Sequence, residues 1–196
     1  MTLFVAIDGP NGAGKTTAAR ALVESLIRSG RPAVYTKEPS TSALGLYARE
    51  SESHLRGWPL AALYVADRHI HVQTEIEPAI VAGTAVVCDR YIGATLVLQR
   101  LDGLDRDVLR EMNRGLRVPD LSVILLGEPD QMRERLARRS TLSRFEQLPQ
   151  IAEREIVLYL EAAEDLEALG HSVALIDASA MTQLEVLEEI KAQLGQ

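Results

Sequence analysis

LFVAIDGPNGAGKT, from Leu3 to Thr16, decides how the rest of the chain is read. Leu3 to Ile7 is a short apolar run of β-formers, which predicts a buried strand. Gly9-Pro10-Asn11-Gly12-Ala13-Gly14-Lys15-Thr16 then matches G-x-x-x-x-G-K-[ST] in full. From Lys15 to Ser29 the residues Ala18, Ala19, Leu22, Leu26 and Ile27 recur at helical spacing, and Gly30 ends that helix. A strand, a glycine-rich turn and a helix in this order cradle phosphate. The glycines turn backbone N–H groups inward, and the helix start adds its positive dipole end. Lys15 would carry its charge to the β- and γ-phosphates, and the Thr16 hydroxyl is suited to Mg²⁺. Gly9 to Thr16 with Thr17 are therefore the expected ATP-binding set.

Outward from this loop, strands and helices alternate. Ala33 to Thr36, Thr84 to Cys88, Leu121 to Leu126 and His171 to Ile176 read as further strands. Helices are expected over Ala43 to Leu55, from Pro59 towards Val81 with a kink at Pro78, and over Asp105 to Leu116. Further helices are expected from an Asp130 cap to about Arg139, over Ile151 to Leu169, and over Thr182 to Leu194. Strands joined by crossover helices predict a parallel sheet covered on both faces. The whole chain, 1–196, reads as one domain, with mobile sub-regions around 40–58 and 138–148.

Composition narrows the function. The net charge is −7, so a duplex nucleic-acid partner is not expected. One cysteine, Cys88, excludes an intrachain disulfide and suits a reducing compartment. Met1 to Asp8 is too short and too soon interrupted by Asp8 for a signal peptide. No apolar run approaches the ~18–20 residues that cross a bilayer, so the cytoplasm is the expected location. The four histidines show no metal-ligand spacing, and Cys88 reads as a small buried hydrophobe. A guanine-reading N-K-x-D is absent from the sequence. Asp89, ending an apolar strand, also fits a motor or transporter ATPase.

Three clusters favour a kinase: Thr36-Lys37-Glu38-Pro39-Ser40-Thr41, Tyr64-Val65-Ala66-Asp67-Arg68-His69-Ile70-His71 and Asp89-Arg90-Tyr91. Open α/β sheets bind ligands at the carboxyl ends of their strands. Glu38, Asp89 and Arg90 would therefore converge beside the loop. With Pro119-Asp120-Leu121 and the arginine-rich stretch Arg139 to Glu146, the order of these motifs over nearly the whole chain resembles the thymidylate kinase family, as a divergent member.

The resemblance implies a three-layer P-loop NTPase fold of the nucleoside-monophosphate-kinase type, with a five-stranded parallel sheet, a short lid at about 138–148 and a homodimer. It implies ATP and Mg²⁺, with Thr16 and Asp89 near the metal, and transfer of the γ-phosphate of ATP to dTMP. Lys15, Asp89, Arg90, Arg139 and Arg144 would serve the transfer, Arg90 by holding the acceptor monophosphate. Arg135 and Arg138 would add to the lid. Tyr64 would stack on the base, Arg68 would bond the pyrimidine carbonyl, and Thr95, Gln99 and Glu38 would complete the acceptor side.

Four positions depart from the family pattern. Asn11 stands where the family has an acid, Leu98 where it has a sugar-packing tyrosine, Ser143 where the lid has an acid, and Lys37 where it has arginine. One alternative is a deoxynucleoside kinase with Glu38 as base to a 5′-hydroxyl. Another is a nucleotide-binding regulator without catalysis.

Overall fold

A computed structural model describes residues 2–195. Five parallel strands stand in the order β2-β3-β1-β4-β5. They are β1 (Phe4–Asp8), β2 (Ala33–Lys37), β3 (Ala85–Asp89), β4 (Leu121–Leu126) and β5 (Val173–Asp177). Along a strand successive side chains face opposite sides, and this period of two builds two separate cores. Val5, Ile7, Val87, Val123 and Leu125 meet α1 (Lys15–Arg28) and α9 (Gln183–Gln193) on one face. Phe4, Ala6, Val86, Cys88 and Ile124 meet the other helices on the opposite face. The result is three layers, with β1 in the middle and its carboxyl end in the centre of the sheet.

The second face is built from α3 (Gly57–His71), α5 (Ile92–Leu101), α6 (Arg106–Met112) and α8 (Ile151–Ala168). The remaining helices are α2 (Ala43–Ser51), α4 (Glu77–Val81) and α7 (Pro129–Ala137). The helix expected from Pro59 to Val81 is divided. A π turn, Val72–Ile76, separates α3 from α4, and Pro78 lies in the first turn of α4. Proline has no N–H for the carbonyl one turn back, and the wider turn ends where that bond is missing.

Other boundaries also differ from expectation. Helix α2 stops at Ser51 rather than Leu55, and α6 spans Arg106–Met112, capped by the Asp105 side chain. The cap of α7 is Glu128, not Asp130: its carboxylate accepts from Gln131 N, and Pro129 takes the first helical position. Strands β3 and β5 run one residue further than expected, to Asp89 and Asp177. Thr182 and Glu185 form a reciprocal capping box on α9.

Helix α5 is an addition to the expected elements. Ile92, Ala94, Leu96 and Val97 are all buried, so it is apolar on several sides and shows no amphipathic stripe. It carries Thr95, Leu98 and Gln99 to the cleft described next.

Candidate active site

The phosphate loop leaves β1 at the carboxyl edge of the sheet, where backbone must approach backbone. Gly9 (φ 143°) and Gly12 (φ 87°) meet this requirement. A Cβ on Gly9 would lie 2.2 Å from the Leu125 carbonyl oxygen, and one on Gly12 would lie 2.8 Å from that of Met132. Any side chain there would displace the strand or helix beneath the loop.

Lys15 is 5% exposed, and its Nζ donates to the Pro10 carbonyl at 2.7 Å. Burial, and then the Arg90 cation, push its ammonium down from 10.5 to about 7. A bound triphosphate would offset both effects. ATP binding should then take up roughly one proton at pH 8. Titration calorimetry in buffers of different ionisation enthalpy measures this; no uptake would place Lys15 away from the phosphates.

At the end of β3, Asp89 accepts from the Thr16 hydroxyl at 2.5 Å and from the Tyr35 hydroxyl at 3.2 Å. Thr16 and Asp89 are hard oxygen donors side by side at the loop, a donor set that fits Mg²⁺. Arg90 follows with φ 72°, a left-handed conformation rare for a side-chain-bearing residue and one that is found at functional sites. Its Nη2 donates to Asn11 Oδ1 at 2.6 Å. Its Nη1 is buried with no partner. An unsatisfied guanidinium nitrogen beside the phosphate loop is chemically suited to an anion.

A buried polar network surrounds Glu38 and Arg68. Glu38 is 4% exposed and binds Arg68 Nε at 2.5 Å and His71 Nδ1 at 3.2 Å. Arg68 also donates to Asn113 Oδ1 (2.6 Å), the Tyr91 carbonyl (3.0 Å) and Thr95 Oγ1 (3.0 Å). Of its five guanidinium N–H groups, these four bonds leave one on Nη1. Gln99 Nε2 is buried without a partner. Tyr64 is held by a short hydrogen bond to Glu52 and packs in an apolar cluster with Leu60, Leu98 and Phe145. Glu38, His71 and Cys88 bring donor atoms within 4.8 Å of one another, a convergence that sequence spacing does not show. His71 also meets Thr36, and Cys88 bonds the Arg90 carbonyl, so each has a protein partner.

One cleft of about 750 Å³ joins the two halves. Lys15, Thr16 and Thr17 of the loop line it, as do Glu38, Tyr64, Arg68, Thr95 and Gln99 of the buried network, together with Arg90. Arg135 and Arg139 reach the cleft from α7 and its end, and Arg135 Nη1 bonds the Gly12 carbonyl at 3.0 Å. Arg144 departs from expectation, and so does Arg138, which is exposed and off the cleft. The Arg144 guanidinium grips Asp102 at 2.5 and 2.7 Å, and covers the Phe145 ring at 4.0 Å. The Asp102 side chain is only 3% exposed, so it draws the arginine away from the cleft.

A sequence model described as Thymidylate kinase matches residues 7–190. The chain belongs to the thymidylate kinase family. Among curated thymidylate kinase relatives, a "Probable thymidylate kinase" of Archaeoglobus fulgidus is 34% identical over 98% of this chain and 92% of its own length. A "Thymidylate kinase" of Thermomicrobium roseum is 37% identical over 83% of this chain and 81% of its own. Among solved structures, a thymidylate kinase from Candida albicans superposes with a TM-score of 0.80 at 20% identity, covering 99% and 91% of the two chains. That likeness shows the same P-loop NTPase fold.

The structure places a carboxylate against Asn11 from elsewhere in the chain. Glu155 of α8 accepts from Asn11 N at 2.6 Å and from Asn11 Nδ2 at 2.7 Å. The sequence motifs do not include Glu155. Its signal is a place on the apolar stripe of α8, with Ile151, Ala152, Tyr159, Ala162 and Leu166, where a charge is out of pattern. Asp8 is a second buried carboxylate outside the motifs. It accepts from Tyr91 N (3.1 Å) and Ala94 N (2.9 Å), and so fixes the start of α5. Burial raises its carboxyl, and the Tyr91 N–H opposes that rise.

Proposed function

We propose that this member of the thymidylate kinase family transfers the γ-phosphate of ATP to dTMP, giving ADP and dTDP. The observation that carries it is the unpaired Nη1 of Arg90, lying between the donor loop and the acceptor network in one continuous cleft. Lys15 and the loop N–H groups hold the β- and γ-phosphates. Arg90 receives the acceptor phosphate and brings it into line. Tyr64 packs against the base, with the free N–H of Arg68 and of Gln99 offered to its edge. Arg139, in the lid at about 138–148, completes the positive surround. Mg²⁺, held by Thr16 and Asp89, would neutralise donor phosphate charge when bound. This is catalysis by positioning and charge, as phosphoryl transfer requires.

The acceptor phosphate is already anionic near neutral pH, so no protein base is needed. Both oxygens of Glu38 are engaged by Arg68 and His71, which speaks against its acting as base to a nucleoside hydroxyl. ADP release measured with saturating dTMP, thymidine and no acceptor tests the reading. It predicts turnover on dTMP alone; turnover on thymidine, lost in Glu38→Gln, would give the site to a nucleoside kinase. The homodimer and the cytoplasm are carried as parts of this proposal; sedimentation at the single-chain mass would remove the dimer.

The two lid arginines should separate. Arg139 is half-exposed and pairs at 2.5 Å with Glu146, whose buried carboxylate also accepts from Ser143 N at 2.7 Å, so Arg139→Ala should cost about 1 kcal/mol of stability yet lower kcat by about 100-fold. Arg144→Ala strands Asp102 and should lower unfolding stability by roughly 2–3 kcal/mol. Urea unfolding and steady-state rates measure both. A large kcat loss in Arg144→Ala with unchanged stability would put Arg144 on the phosphate instead.

A further inference from the structure

We infer that Glu155, a residue outside the cleft, is a positioning residue that sets Arg90 for the acceptor phosphate by fixing the polarity of the Asn11 amide. The inference rests on the reading that Arg90 holds that phosphate.

Glu155 is 1% exposed and Asn11 is 5% exposed. An ionised carboxylate only accepts hydrogen bonds. Its Oε2 takes the backbone N–H of Asn11 and its Oε1 takes the side-chain Nδ2. The amide has then one orientation: nitrogen towards Glu155, oxygen towards Arg90, whose Nη2 it accepts at 2.6 Å. With Nη2 tied down, Nη1 is left without a partner. The Arg90 backbone holds a left-handed φ of 72°, so this pose needs support. Asn11 N–H is meanwhile turned to α8 and not to the phosphates. Ala152, one turn before Glu155, packs on Ala13 and Met132, which keeps α8 under the loop.

Glu155→Gln tests the relay because it changes polarity with almost no change in shape. The new amide oxygen can still accept from Asn11 N. Its NH₂ then faces Asn11 Nδ2, donor against donor. Asn11 must turn over, and its NH₂ then confronts Arg90 Nη2. Adding Asn11→Asp cures both conflicts: one carboxylate oxygen at that position accepts from the amide nitrogen that E155Q introduces, and the other accepts from Arg90. Asn11→Asp alone sets two carboxylates against each other within hydrogen-bond distance.

The experiment is the full cycle, E155Q, N11D and the double variant, with KM for dTMP, KM for ATP, kcat and thermal midpoint read for each. E155Q should raise KM for dTMP about 10- to 100-fold, with KM for ATP changed less than about threefold. The double variant should return KM for dTMP to within about threefold of the wild type. A merely structural Glu155 would move the thermal midpoint and leave that KM alone, which overturns the inference. So would an E155Q defect that N11D does not relieve. If Arg90→Ala raises KM for dTMP while E155Q does not, the inference falls and the role of Arg90 stands. If neither variant changes it, both fall together.

Discussion

Arg90→Ala is expected to lower kcat/KM for dTMP by about 10³-fold while ATP binding changes little. The guanidinium has one nitrogen tied to Asn11 and one buried without a partner. It is therefore already desolvated and oriented before an anion arrives, and the anion supplies its missing bond. Removing it deletes a charge-assisted contact that strengthens as the phosphates draw together. Arg90→Lys should recover little, because a point charge does not reproduce the fork. Steady-state kinetics with dTMP varied, and calorimetry with ATP alone, separate the two halves of the cleft. An equal loss of ATP affinity would move Arg90 to the donor side.

Lys15→Met should abolish turnover, by about 10³-fold or more in kcat, yet stabilise the ligand-free protein. The two signs have one origin. Burial and Arg90 push Lys15 down from 10.5 to about 7 in the folded state. A lysine with a depressed folded value penalises folding. That penalty is absent above about pH 10.5, grows as pH falls, and is complete below about pH 7. Loss of its bond to the Pro10 carbonyl offsets part of the gain, at about 1 kcal/mol. A net rise in stability at pH 7 remains. Urea unfolding without nucleotide reads it, and a destabilised variant would show that the Pro10 contact outweighs desolvation.

The parts legible in the sequence are those whose chemistry is local. The phosphate loop is contiguous, and its glycines, Lys15 and Thr16 announce both conformation and ligand. The strand-end residues Glu38, Asp89 and Arg90 are legible because topology sends every strand end to one edge. Less is legible where a residue's role is set by a distant partner. Arg144 resembles a lid arginine along the chain, and only the fold brings Asp102 to it. Helix α5 carries Thr95 and Gln99 but has no amphipathic period, since helices and sheet enclose it. Glu155 meets Asn11 from 144 positions away, and only its place in an apolar stripe marks it. His71 and Cys88 converge on Glu38 for the same reason, by fold rather than by spacing.

The most direct test follows the phosphate itself. ATP labelled in its γ-phosphate is incubated with the protein, Mg²⁺ and dTMP, and the products are separated. The account predicts that label passes into dTDP in step with ADP formed, and that little inorganic phosphate appears. Label released as inorganic phosphate at a rate indifferent to dTMP would contradict it, because a cleft that binds ATP without delivering its phosphate to Arg90's ligand is not a nucleotide kinase.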